Sequence, residues 1–148
     1  MDATKLLEQD HKQVEGLFQE FEQAGDRAIK TRQDLVQKMI EELTVHTEIE
    51  EEIFYPAVMS RISAAKDEVR ESLEEHHVAR VLMEELTAVN PQDESFDAKA
   101  TVLIENVRHH KQEEETELFP QVRKAFSTDK LDALGQELEH AKQQKLRH

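Results

Sequence analysis

Six residues of this 148-residue chain have the types and spacing of a metal centre. His46 and Glu50 stand four apart, and so do His110 and Glu114. Positions i and i+4 share a helical face, so each pair can offer an imidazole and a carboxylate to the same ion. His11 and His76 add one imidazole each. Imidazole and carboxylate without thiolate suit iron, manganese or zinc. Four imidazoles and two carboxylates fit two ions that share the carboxylates, which leaves an open coordination position where chemistry can occur.

Taken singly, these signals are weak. A lone His-x-x-x-Glu in so acidic a chain is ordinarily a surface pair, and His109 with Glu113 has this spacing one position out of register. A lone His11 reads as a satisfied core histidine, and Glu50-Glu51-Glu52 and Glu113-Glu114-Glu115 read mostly as solvated helix faces. Repetition changes the weight. HTEIEEEIFYP (46–56) matches the segment that begins at His110 and ends at Pro120, at an offset of 64 residues. In both copies the His precedes a Glu by four, and an aromatic residue and a proline follow. DHKQVEGLFQEF (10–21) matches EHHVARVLMEEL (75–86) at an offset of 65, which aligns His11 with His76. Each half of the chain is thus a helix pair that carries one His and then a His-x-x-x-Glu.

The elements that must position these groups follow from the apolar spacing. Leu7, Val14, Leu17, Phe18 and Phe21 mark a helix over about Thr4 to Ala24, with Thr4 as N-cap and Gly25 as a left-handed stop. Val36, Met39, Ile40, Leu43, Ile53 and Phe54 mark a second over about Thr31 to Ser60, which Pro56 must kink or end. Val69, Leu73, Met83 and Leu86 mark a third over about Lys66 to Val89, closed by Asn90-Pro91. Leu103, Val107, Leu118 and Val122 mark a fourth, capped by Ser95 and running to about Phe126. A short fifth, Asp129 to about Lys145, carries Leu131, Leu134 and Leu138 on one side. His11, His46, Glu50, His76, His110 and Glu114 continue the stripes at steps of three and four. They point inward, where so many ionisable groups are costly to bury unless something pairs them.

Composition bounds the rest. The length suits a single domain over residues 1–148. With 3 Gly and 3 Pro, turn chemistry for a many-stranded sheet is lacking, and the mean hydropathy of -0.75 fits narrow apolar stripes on long helices. The fold class expected is all-α, an up-down four-helix bundle with a short additional C-terminal helix. The net charge of -14 argues against a nucleic-acid or membrane partner. The absence of cysteine removes disulfides, iron–sulfur clusters and thiol nucleophiles. There is no apolar leader and no apolar run near 18 residues, so a cytoplasmic protein is expected.

The order His, His-x-x-x-Glu, His, His-x-x-x-Glu, set within LLEQDHKQVEGLFQEFE, EEIFYP and EEHHVARVLMEEL, resembles the hemerythrin-like HHE cation-binding domain over about residues 4 to 146. The resemblance implies a four-helix bundle around a non-heme di-iron site. Its ligands would be His11, His46, Glu50, His76, His110 and Glu114, with Glu50 and Glu114 bridging two irons. The oxygen carriers of that family place two ligand histidines four apart on the third helix. Here the position four after His76 is Arg80 and the position four before it is Ser72. That departure sets reversible oxygen carriage aside. What the resemblance implies is a centre that binds or reduces a small oxidant (oxygen, peroxide or nitric oxide), with a non-enzymatic iron sensor or storage module as the alternative. With no cysteine and no second cofactor site evident, reduction would need an electron-donor protein. A ferritin-like layout competes, in which Glu8-x-x-His11 and Glu74-x-x-His77 combine with Glu50 and Glu114. It leaves His46 and His110 buried without a role and breaks the internal repeat.

Overall fold

The computed structural model describes residues 1–25 and 27–147, and among these the chain is helical throughout with no strand. The helices are α1 (Ala3–Gln23), α2 (Ile29–Ile49), α3 (Tyr55–Arg61), α4 (Lys66–Ala88), α5 (Glu94–Glu113), α6 (Phe119–Ala125) and α7 (Thr128–Leu146). Two π-helical turns, Glu50–Phe54 and Glu114–Leu118, join α2 to α3 and α5 to α6 without a break in the rod. The second and fourth expected helices are therefore continuous, and Pro56 and Pro120 each sit in the first turn after a π segment. A proline inside a regular helix forfeits a bond to the i−4 carbonyl and clashes with it. The widened turn, with its i→i+5 bonding, takes up that conflict. It also lets two successive side chains face inward: Phe54 and Tyr55 are both buried, and so are Leu118 and Phe119.

Several helix ends differ from expectation, for local reasons. The Asp2 carboxylate, not the Thr4 hydroxyl, caps α1 by accepting from the Thr4 backbone N–H at 2.7 Å. Asp93 does the same for α5 through the Ser95 N–H at 2.9 Å, so Ser95 lies inside the helix. Gly25 is not left-handed: α1 ends at an extended Ala24, and none of the described glycines has a positive φ. The C-terminal helix is not short. Capped by Ser127, it runs 19 residues against 21 for α1.

Around the molecule α1 packs on α2 and α5, α4 packs on α2 and α5, and α7 lies against α1 and α2. Apolar side chains gather in two clusters. One joins Val14, Phe18, Leu43, Met83 and Leu103 across α1, α2, α4 and α5. The other joins Leu7, Ile49, Phe54, Phe119 and Val69 with Leu131, Leu134 and Leu138 of α7. Full burial of each such side chain contributes about 1.5–3 kcal/mol. Between the two clusters, each of the four rods passes through one polar layer.

The docking of α7 depends on one close approach. A Cβ at Gly135 would stand 1.9 Å from the Met1 carbonyl oxygen and 3.1 Å from the Ala3 backbone nitrogen. Gly16, exposed in mid-α1, has nothing within 4 Å of its Cβ direction. Gly135→Ala is expected to lower stability by about 1–3 kcal/mol, as overpacking does. Gly16→Ala should raise it by about 0.5–1 kcal/mol through helix propensity. Urea midpoints of the two variants check both signs.

Candidate metal centre

The polar layer is built one helix at a time. Helix α1 supplies His11, α2 supplies His46 and its π extension Glu50, α4 supplies His76, and α5 supplies His110 and its π extension Glu114. All six are buried, and Glu50 has no exposure at all. The sequence stripe and the structure agree on which residues enter this layer. His77 and Glu74 are exposed on α4, and Glu8 is paired with Arg123 at 2.8 Å. The ferritin-like set is thus not assembled. His109 is a surface residue held by Glu113 at 2.6 Å.

The six converge as two groups of three, each with its ligand atoms within 4.8 Å of one another: His11, His46 and Glu114, then Glu50, His76 and His110. The carboxylates connect the groups. Glu50 Oε1 lies 3.2 Å from both His46 Nε2 and His76 Nε2. Glu114 Oε1 lies 3.2 Å from His11 Nε2, and its Oε2 lies 3.3 Å from His110 Nε2. Each carboxylate therefore reaches one imidazole in either group.

Four outer carboxylates orient the imidazoles. His11 Nδ1 donates to Glu115 at 2.6 Å, and His46 Nδ1 to Asp10 at 3.0 Å. His76 Nδ1 donates to Glu51 at 2.7 Å, and His110 Nδ1 to Glu75 at 2.9 Å. An ionised carboxylate can only accept, so each Nδ1 carries the hydrogen and each Nε2 faces the layer. Sequence reasoning placed Glu51 and Glu115 on solvated faces and passed over Asp10 and Glu75. The internal repeat carried the missing signal, because the two offsets also superpose Asp10 on Glu75 and Glu51 on Glu115. Arg80, four residues after His76, forms an ion pair with Glu51 and so supports the outer group on His76.

Tyr55, also missed, breaks the pseudo-symmetry. Its hydroxyl donates to Glu114 Oε2 and lies 3.4 Å from His76 Nε2 and 3.3 Å from His110 Nε2. The equivalent position in the other half is Phe119, whose ring lies parallel to that of His11 at 6.1 Å between centroids. The chain has a single tyrosine, and the second copy of the repeat reads Leu-Phe-Pro where the first reads Phe-Tyr-Pro. That mismatch was the available cue.

The electrostatics show what the layer lacks. Burial alone would depress His46. The charge of Glu50 close by and the hydrogen bond to Asp10 outweigh it and lift His46 to about 10. His11 and His110 are raised against burial in the same way, His110 strongly, by Glu114 and their outer carboxylates. Burial opposes ionisation of Glu114, yet the charge of His110 and the close imidazoles of His11 and His110 hold its carboxyl well below the usual range. Burial, then the charges of Glu114 and Glu50, keep Tyr55 a neutral phenol. Even so, His11 Nε2, His46 Nε2, both oxygens of Glu50 and Glu114 Oε1 are buried without a hydrogen-bond partner. Orphaned buried polar atoms are rare and each costs about 1–3 kcal/mol. Five in one layer, all imidazole nitrogen or carboxylate oxygen, fit the donor set of a first-row transition metal. A cavity of about 30 Å³ adjoins the layer, walled by Val14, Phe18, Leu43, Ala79 and Val107 and floored by the four imidazoles.

Comparison with known proteins gives a family and a fold. The family model for the Hemerythrin HHE cation binding domain matches residues 2–122. A DNA nickase from Nostoc sp. (strain PCC 7120) is 29% identical over 142 residues, which is 96% of this chain but only 39% of that protein, so the chain spans about two fifths of its length. The crystal structure of a Hemerythrin HHE cation binding domain-containing protein from Mycobacterium kansasii superposes with a TM-score of 0.84 at 20% identity, over 98% of this chain and 87% of that one, and so shares the fold. With two buried His/Glu clusters able to hold metal and a family match over most of its length, the chain belongs to the hemerythrin HHE cation-binding domain family.

Proposed function

We propose that this chain is a non-heme di-iron protein, built as an up-down four-helix bundle with one added helix, that binds or reduces a small oxidant such as oxygen, peroxide or nitric oxide. The observation that carries the reading is the set of five orphaned donor atoms converging in one sealed layer. His11, His46 and Glu114 would hold one ion, Glu50, His76 and His110 the other, with Glu50 and Glu114 bridging. Iron bound there supplies a one-electron redox couple and an open position for the oxidant.

The protein's own contributions are positional. The outer carboxylates fix each ring with Nε2 inward and raise its basicity. The Tyr55 hydroxyl donates a hydrogen bond to Glu114 Oε2, beside the group formed by His76 and His110. The apolar walls of the cavity exclude bulk water, and its size admits a molecule of only a few atoms. Electrons for any reduction come from a separate donor protein, since the sequence contains no cysteine to form a redox pair. The nicking named for the Nostoc protein belongs to a much longer chain, and a net charge of -14 sets this one against a phosphate backbone. A cytoplasmic location is part of this proposal; as a separate observation, no described helix is long and apolar enough to cross a membrane.

Metal analysis of protein purified without chelator, with a visible spectrum, tests the reading: two irons per chain and charge-transfer absorption are expected. A stoichiometry near one in fully loaded protein overturns the di-iron assignment.

Paired substitutions test the ligand set. His76→Ala and Glu114→Ala should lose bound iron and its spectrum, and Glu114→Ala should destabilise the loaded protein by about 3–5 kcal/mol, as loss of one partner of a buried charge pair does. Exposed His77→Ala and surface Glu113→Ala should keep both iron and spectrum. Like behaviour of Glu113→Ala and Glu114→Ala in iron content would exclude the bridging role.

Metal and proton compete for the same nitrogens. His46 in the metal-free protein is raised to about 10, so its stabilising charge is fully present below about 6.5 and is lost as pH rises through about 10. Metal-free protein should therefore lose stability between those values. Iron loading should release protons near neutrality, and the release should decline towards pH 10. Indicator-dye titration during loading measures it.

A further inference from the structure

Helix α7 lies outside the 2–122 segment that the family match covers, yet it reaches the metal layer. Lys142 Nζ donates to Asp10 Oδ1 at 2.6 Å, and Asp10 Oδ2 accepts from His46 Nδ1 at 3.0 Å. Asp10 is the most enclosed of the four outer carboxylates. Its side chain is 7% exposed, against 20–29% for Glu75, Glu51 and Glu115. Water can do least for its charge, and its cation comes from α7. The repeat-related residue Glu75 instead faces His109 at 3.9 Å, across the surface. Among the described ion pairs, the C-terminal helix thus reaches an outer carboxylate of one metal position, Asp10 behind His46, and none of those behind the other.

We propose that α7 governs metal retention at the position formed by His11, His46 and Glu114, with Lys142 as a positioning residue acting through Asp10 on His46. This rests on the di-iron reading above. The ammonium pins one carboxylate oxygen, so the other stays aimed at His46 Nδ1–H. His46 is then held in the tautomer and ring orientation that turn Nε2 inward. Without Lys142, Asp10 carries a buried charge with one oxygen unpaired, and it satisfies that oxygen by rotating or by admitting water. Either movement removes the brace from His46. Loss of such outer partners typically weakens metal affinity about 10–100-fold.

Lys145 supplies the control. It ties α7 to α2 and its π extension through Glu48 at 2.8 Å and Glu52 at 3.1 Å, but touches none of the outer carboxylates. Full-length wild type, Lys142→Met, Lys142→Arg and Lys145→Met would be loaded with ferrous iron under anaerobic conditions, freed of excess metal, and mixed with an excess of a chromogenic ferrous chelator. Wild type should release two irons per chain. Lys142→Met should release one of its two about 10–100-fold faster while the other keeps the wild-type rate. Lys142→Arg, which keeps the charge, should restore the wild-type pattern, and Lys145→Met should match wild type in both phases. Wild-type rates in Lys142→Met, equal acceleration of both irons, or the same change in Lys145→Met would each overturn the proposal. A wild type that takes up no iron overturns the di-iron reading itself, and this inference falls with it.

Discussion

The molecule is organised around a charge problem. Two carboxylates and four imidazoles share a layer buried from solvent, between two clusters of hydrocarbon. Burying such groups is tolerable only when each has a partner, and here five of the inward-facing atoms find none. His/Glu distances of 3.2–3.3 Å bring the groups into contact, but they are not aligned as hydrogen bonds for the orphaned atoms. In the metal-free chain, protons on the histidines are the remaining source of compensation, which is why His46 is so basic.

That requirement propagates outward in shells. Each imidazole must face inward with a bare nitrogen, so each needs an acceptor behind it, and Asp10, Glu51, Glu75 and Glu115 supply four. Those carboxylates need cations in turn. Arg80 serves Glu51 and Lys142 serves Asp10. The strongly acidic composition is in part a record of this arrangement, since carboxylates are used both to face the metal and to stand behind the histidines.

The sequence made the inner layer legible because two independent periodicities fall on the same residues. His11, His46, His76 and His110 continue apolar stripes at helical spacing, and each is repeated 64 or 65 residues away. The outer carboxylates were obscured by abundance. Among 33 acidic residues, Glu51 and Glu115 look like any solvated neighbour, and only their equivalence across the repeat marks them. Caps failed for a different reason. Thr4 and Ser95 are capping types, but so are Asp2 and Asp93 two residues earlier, and only the dihedrals at each helix start decide between them. The span of α7 was legible to within a residue at each end, but not what holds it: its buried leucines end at Leu138, and its last two turns are held by lysine pairs to Asp10, Glu48 and Glu52.

The crossed donors have a further consequence. Neither half of the chain owns a complete group: His11 and His46 meet Glu114 from the second half, and His76 and His110 meet Glu50 from the first. Two identical helix pairs associated about a two-fold axis would make the same crossings, because such an interface presents one patch to itself. Perfect symmetry, however, permits either two central phenols or none. A centre with one, Tyr55 opposite Phe119, requires the halves to be encoded separately within one polypeptide. Covalent fusion is thus what allows the two metal positions to differ, and with it a division of labour that no homodimer of the parts could inherit.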